Sequence, residues 1–149
     1  MKAVIQRVNF AKLKVNNKLF SEIGNGFVVL IGITHDDDTN DIKWLVKKIL
    51  NLRIFNDDNL VMNRSVIDVH GELLVVSQFT LHAQTKKGNR PSYINAAKGK
   101  IAEEIYNSLL SEFKNEHGIN PKTGKFGADM KVELENDGPV TIIIDTKNK

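Results

Sequence analysis

The sequence predicts an α+β fold: a curved antiparallel sheet, barrel-like in its β core, with two main helices packed against it. Three observations carry this reading. Stretches with an alternating or continuous apolar pattern outnumber those with a 3.6-residue pattern. Two segments show helical periodicity, and successive strand-like stretches lie close enough to pair antiparallel. No repeat, low-complexity tract or Pro/Ser-rich linker divides the 149 residues, which predicts one domain over 1–149.

Residues 1–8 alternate as a strand, with Val4, Gln6 and Val8 on one side and Ala3, Ile5 and Arg7 on the other. Leu13 to Asn16 reads as a second strand leading into an Asn16-Asn17 turn, and Gly24-Asn25-Gly26 is another turn. Phe27 to Ile33 is a β-branched apolar run suited to a strand buried on both faces. Asp36 to Thr39 then supply candidate N-caps for a helix carrying Ile42, Leu45, Val46, Ile49 and Leu50 at helical spacing. A strand is expected over Glu72 to Leu81. A second helix is expected from Pro91-Ser92, with Ala97, Ile101, Ile105, Leu109 and Phe113 at four-residue steps and His117-Gly118 as its stop. Two strands complete the chain, Met130 to Leu134 and Val140 to Asp145, joined by Asn136-Asp137-Gly138-Pro139.

Composition narrows the chemistry. There is no cysteine, so disulfide scaffolds, thiolate zinc sites, iron–sulfur clusters and cysteine nucleophiles are excluded. No apolar run approaches the roughly 20 residues of a bilayer span and no signal peptide is visible, which predicts a soluble, cytoplasmic protein with no membrane partner. The net charge of +3 permits contact with a phosphate backbone without announcing it; the local concentrations are Lys86-Lys87-Gly88-Asn89-Arg90 and the tail from Lys147. Phosphate loops, dinucleotide fingerprints, zinc-protease helices and nucleophile elbows are missing. His35, His70, His82 and His117 lack ligand spacing and read as surface residues in or beside turns. No metal and no cofactor is expected, and Asp36-Asp37-Asp38 is explained by helix capping.

Two segments resist a plain structural explanation. In Glu72 to Leu81 an apolar run passes straight into Ser77, Gln78 and Thr80; alternation puts Gln78 and Thr80 on one face, Ser77 and Phe79 on the other. A buried amide or hydroxyl without a partner costs about 1–3 kcal/mol, so these groups need partners or a ligand, unless the strand end emerges into water. The other is Asn136 to Thr141. Asp-Gly between strands signals a hairpin turn, yet the following proline withholds a ladder hydrogen bond. Pattern alone favours a trans bond there, because only about 5–6% of bonds before proline are cis.

Ser77-Gln78-Phe79-Thr80-Leu81 and Asn136-x-Gly138-Pro139-Val140-Thr141 resemble the two signature motifs of the D-aminoacyl-tRNA deacylases. Three further stretches resemble that family in the same order: the opening Met1 to Val8, Lys48 to Phe55, and Gly124-x-Phe126-Gly127-Ala128-x-Met130. The resemblance covers essentially the whole chain. It implies a homodimeric enzyme with a barrel-like core that hydrolyses the ester between a D-amino acid and the 3′-terminal adenosine of tRNA, with glycyl-tRNA as a further substrate class. It also implies that the Gly138-Pro139 bond is cis, and that the motif enters the partner's pocket, where its carbonyls bind the α-ammonium and exclude an L side chain. Arg7 is expected to brace the motif across the dimer, and Phe126, Gly127 and Met130 to line the adenosine pocket, unless Phe126 and Met130 are plain core residues.

No histidine neighbours Ser77 or Thr80 in sequence, so an activated-hydroxyl triad is not visible, although triads are defined by geometry rather than by order. A binding-led mechanism is preferred: N–H groups around Phe79 and Thr80 form the oxyanion site, and the ribose 2′-hydroxyl helps position water. A covalent Thr80 nucleophile is the competing mechanism. The basic loop from Lys86 is expected to meet tRNA phosphates. Two other classes stay open, a catalytically inactive tRNA- or RNA-binding module and a small-ligand barrel. The intact Ser77 to Thr80 and Gly138-Pro139 pairings favour the enzyme.

Overall fold

The first strand organises the sheet. The computed structural model describes residues 1–86 and 88–149, the side chain of His117 apart. In chain order the elements are β1 (Lys2–Val15), β2 (Lys18–Ile23), β3 (Gly26–Gly32), α1 (Thr39–Asn51), β4 (Phe55–Asn56), β5 (Met62–Arg64), β6 (Glu72–Ser77), a 3-10 turn (Phe79–His82), α2 (Gly99–His117), β7 (Lys122–Thr123) and β8 (Met130–Asp145). On one side β1 pairs with β8 along its length; on the other it pairs with β3 up to Val8 and with β2 from Ala11 onward. It is one strand where two were expected, because Phe10, Ala11 and Lys12 find ladder partners in Glu135, Leu134 and Glu133. Asn16 and Asn17 take φ of 51° and 61°, the left-handed pair of a two-residue hairpin turn.

The α+β class, the curled sheet and the two helices match expectation, but the sheet is mixed rather than antiparallel throughout. β6 runs parallel to β3, and β7 parallel to β6. The cause is the connection: α1 and the β4–β5 hairpin return the chain across the sheet before β6 begins, and parallel neighbours need such a crossover. The sheet curls until its edges approach, where Ser21 of β2 donates from Oγ to the Thr123 carbonyl of β7 at 2.8 Å.

β3 and β6 are buried on both faces, which explains their unbroken apolar runs. Phe27, Val29, Ile31, Leu73 and Val75 face the helices, with Leu45, Ile49, Leu109 and Phe113 packed on them. Val28, Leu74 and Val76 face a second cluster inside the curl, with Val8, Ala11, Leu13 and Ile23. Each such side chain contributes about 1.5–3 kcal/mol by leaving water, so the two clusters fix the strand ends beside which the candidate site forms.

α1 starts at an Asp38 capping box completed by Asp41. Burial would raise the carboxyl of Asp41, but hydrogen bonds from Lys147, Thr146 and the Asp38 N–H outweigh it and hold the group at about 2. Asp37 is used differently: its buried carboxylate meets the Met1 ammonium at 2.5 Å. α2 begins at Gly99, not at Pro91-Ser92, because residues 91–98 have other work. Ser92 exchanges both hydrogen bonds with Gln84, and the Ala97 N–H donates to the Ile33 carbonyl at the end of β3. Its buried face is Ala102, Tyr106, Leu109 and Phe113, while Ile101 is 55% exposed. A strict four-residue row drifts about 40° per step around a 3.6-residue helix, so the expected row could not stay on one face.

Two strand boundaries also differ from expectation. β6 ends at Ser77, after which the chain tightens into the 3-10 turn. The C-terminal strands are one strand, β8, paired with β1 on both sides of the Gly138-Pro139 segment: Val8 opposes Asn136 and Gln6 opposes Thr141. Asp137 to Val140 therefore form a bulged excursion opposite Arg7 rather than a hairpin turn. Pro139 cannot donate to the ladder and Gly138 sits at φ 112°, so the strand leaves its partner and rejoins it.

Candidate active site

The parallel strands β3 and β6 end side by side at Ile31 and Ser77, and a cavity of about 880 Å³ opens there. Ile31, Ser77, Gln78 and Phe79 form one wall, the segment before α2 (Ser92 to Gly99) another, and Phe126 to Met130 a third. The Gln78 N–H donates to the Ile31 carbonyl at 2.7 Å, holding the turn to the strand end.

Beyond that bond the backbone pattern breaks. The Gln78 carbonyl accepts from the Leu81 N–H and the Thr80 carbonyl from the Ala83 N–H, but the N–H groups of Phe79 and Thr80 donate to no protein acceptor among the described residues. The first N–H groups of any helical turn lack an internal partner; here they belong to a turn at the cavity wall. The Gln78 side chain donates from Nε2 to Thr80 Oγ1, so these side chains do meet, through the turn rather than through strand alternation. Gln78, Thr80 and Ser77 are half-buried and Phe79 is 56% exposed.

On the opposite wall Phe126 is half-buried against Tyr106, ring centroids 5.7 Å apart. The Tyr106 hydroxyl donates to the Val75 carbonyl at 2.8 Å, and burial raises its proton affinity well above the usual phenol range. Tyr106 thus ties α2, the Phe126 ring and β6 together; sequence reading missed it, since a tyrosine in a helical stripe looks like core. Gly127 takes φ 71°, and Met130 packs against the barrel cluster while lining the cavity. Phe126 and Met130 are therefore packed residues and cavity residues at once.

Arg7, Gly138 and Pro139 lie apart from this cavity. The Gly138–Pro139 bond is cis, as the resemblance implied, and both residues are exposed. Arg7 is buried beneath them and braces the excursion within its own chain: Nε is 2.7 Å from Asp137 Oδ2, and Nη1 donates to the Ile54 carbonyl at 2.5 Å. Asn136 completes the brace, donating from Nδ2 to the carbonyls of Arg7 and Val140, each at 2.9 Å.

The histidine expectation needs one correction. His35 and His70 are exposed, whereas His82 is buried because the 3-10 turn tucks it beside Gly32, where a Cβ would fall 3.0 Å from its Cδ2. The side chain of His117 lies outside the described residues, as does Lys87 of the basic loop. Lys86 and Arg90 are exposed on the segment closed by the Gln84–Ser92 pairing. Sequence reading also missed Tyr93, Ile94 and Lys98 as cavity-lining residues, because the expected helix start concealed an irregular segment.

Residues 4–145 match the family model described as D-Tyr-tRNA(Tyr) deacylase. The chain is 58% identical to the D-aminoacyl-tRNA deacylase of Flavobacterium psychrophilum over 149 residues, which is 100% of this chain and 99% of the relative. It is equally similar, with the same coverage, to the D-aminoacyl-tRNA deacylase of Parabacteroides distasonis. Among solved structures, the c-Myc DNA Unwinding Element Binding Protein superposes with a TM-score of 0.92 at 44% identity, covering 97% of this chain and 98% of its own. A probable eukaryotic D-amino acid tRNA deacylase superposes at 0.78 with 19% identity, a likeness of fold alone; it covers 96% of this chain and 97% of its own.

Proposed function

The chain belongs to the D-aminoacyl-tRNA deacylase family, hydrolases that act on aminoacyl-tRNA, and we propose that its hydrolysis is driven by main-chain donors, with a stereochemical filter lent by a second copy. The observation that carries this reading is the pair of N–H groups of Phe79 and Thr80, which donate to no protein acceptor among the described residues and belong to the turn whose Phe79 lines the cavity. Water attacks the ester carbonyl, and its oxygen becomes an oxyanion facing those donors. The bond from the acyl carbon to the ribose 3′-oxygen then breaks, the 3′-oxygen takes a proton, and free tRNA and D-amino acid leave. Donors fixed in place before the charge forms need no reorganisation, and removing one typically lowers the rate about 10²–10³-fold. The ribose 2′-hydroxyl helps position the water, and Phe126, Gly127 and Met130 receive the terminal adenosine.

The filter is the exposed Gly138-Pro139 excursion. Standing outside its own cavity on a buried brace, it is suited to enter the cavity of a partner subunit in a homodimer. Its carbonyls accept from the α-ammonium and occupy the space an L side chain needs, while a D side chain or hydrogen points away. Glycyl-tRNA therefore passes as a substrate, and discrimination among D side chains is weak. We place the activity in one domain spanning 1–149, in the cytoplasm, where its substrate is made.

The test is deacylation of D-Tyr-tRNA, L-Tyr-tRNA and Gly-tRNA by the purified chain. D-Tyr and Gly esters are expected to be hydrolysed and the L ester spared. Inertness toward all three with tRNA still bound would leave a binding module in place of the enzyme.

A further inference from the structure

We propose that the Phe79–Tyr93 ring pair is a stacking subsite for the nucleobase that precedes the terminal adenosine of the RNA substrate. The inference rests on the deacylase reading and extends it by one nucleotide. Phe79 and Tyr93 meet edge to face, with centroids 5.0 Å apart and planes at 76°. Both line the cavity, on the two walls away from Phe126. Phe79 is 56% exposed and Ile94, next to the half-buried Tyr93 in sequence, is 69% exposed, so apolar side chains of both segments are open to solvent. The oxyanion role uses only the N–H of Phe79 and leaves its ring unexplained.

Charge identifies the occupant as nucleic acid. The paired Gln84 and Ser92 close a loop bearing exposed Lys86 and Arg90, and Tyr93 is the next residue after that closure. Lys98 lines the cavity near the same segment, whereas the acidic lining residue Asp129 lies on the Phe126 stretch. Rings for stacking beside cations for the backbone are the combination that binds single-stranded nucleic acid without reading its sequence. The adenosine then sits toward Phe126, and its 5′-phosphate and the preceding base run out over Phe79 and Tyr93 toward the basic loop.

Calorimetric titration of three non-hydrolysable ligands tests this. They are 3′-(D-alanylamino)-3′-deoxyadenosine, its 5′-phosphate, and the dinucleotide formed by adding cytidine to that phosphate. The step from the second ligand to the third adds the cytidine nucleoside and turns the phosphomonoester into a singly charged diester, a charge change that is the same in the unmodified protein and in the Tyr93 variants. It is expected to tighten binding about tenfold in the unmodified protein, the scale of one stacked base. Tyr93→Ala should remove that step and leave the first two affinities unchanged, and Tyr93→Phe should restore it. An absent step in the unmodified protein, a step that survives Tyr93→Ala, or equal weakening of all three ligands by that substitution would overturn the subsite. Failure of the deacylase reading shows differently: D-Tyr-tRNA stays intact in the deacylation assay while the affinity step for the non-hydrolysable ligands remains.

Discussion

The two signature segments break the same sheet in opposite ways. Ser77 to His82 leaves β6 at the carboxyl ends of two parallel strands and turns at the wall of a cavity in its own chain, and the N–H groups of Phe79 and Thr80 on this turn have no protein acceptor among the described residues. Asp137 to Val140 leaves β8 in the middle of an antiparallel pair and exposes Gly138 and Pro139, while its supports lie underneath in Arg7 and Asn136. Among the described residues, one segment borders a cavity and carries two N–H groups without a protein acceptor; the other presents Gly138 and Pro139 to solvent over a buried brace. The proposed function gives the chemical step to the first and the exclusion of one enantiomer to the second. The contrast also predicts where each is fragile: the excursion through its buried brace, the turn through its main chain.

Removing the brace should give the largest effect. Arg7→Ala deprives Asp137 of its cation and the Ile54 carbonyl of its donor. Leaving buried partners unsatisfied costs about 1–3 kcal/mol, discounted at Asp137 because that side chain is partly exposed. Urea unfolding should show a loss of about 2 kcal/mol, and deacylation of D-Tyr-tRNA should fall with it. An unchanged midpoint would mean that the excursion holds its shape without Arg7.

Gly138→Ala is a finer cut at the same segment. A Cβ there would lie 2.8 Å from Val140 Cγ2 and 3.1 Å from Arg7 Nη2, at a φ of 112° that L side chains rarely adopt. Strain at such a position costs on the order of 1–3 kcal/mol. The expected result is a stability loss of about 1 kcal/mol, partly relieved by local shifts, and a reduced preference for D-Tyr-tRNA over L-Tyr-tRNA in paired assays. Retained preference would move the filter away from this loop.

Much of this contrast was legible in the sequence, for different reasons in each region. The apolar runs of β3 and β6 and the capped helix α1 follow from local pattern, since burial on both faces and an Asp38 cap leave direct marks. The parallel pairing left no such mark, because register between distant strands is set by the crossover and not by either strand. The Gly138-Pro139 segment read as a hairpin because Asp-Gly between strands is that signal. Only β1 shows that both flanks rejoin one ladder. Tyr93 and Lys98 were hidden for a related reason: proline and a four-residue apolar row imitate a helix, while Ser92 and Ala97 are committed to long-range backbone bonds. The residues of the motifs were visible; the partners that aim them were not.

The smallest expected effect falls on the turn, and it decides between two mechanisms. Thr80→Ala removes the hydroxyl that accepts from Gln78 but leaves the main-chain N–H groups of residues 79 and 80 in place. The lost hydrogen bond is worth about 1 kcal/mol in stability, so the fold should survive with a small shift in urea midpoint. If the donors carry the reaction, the kcat for D-Tyr-tRNA should fall by less than about tenfold, well short of the effect of losing an oxyanion donor. A covalent Thr80 predicts the opposite: no turnover, with tRNA still bound and the fold intact. Because the substitution spares the main chain, abolished activity could not be assigned to the turn's shape and would transfer the chemistry from its peptide groups to its hydroxyl.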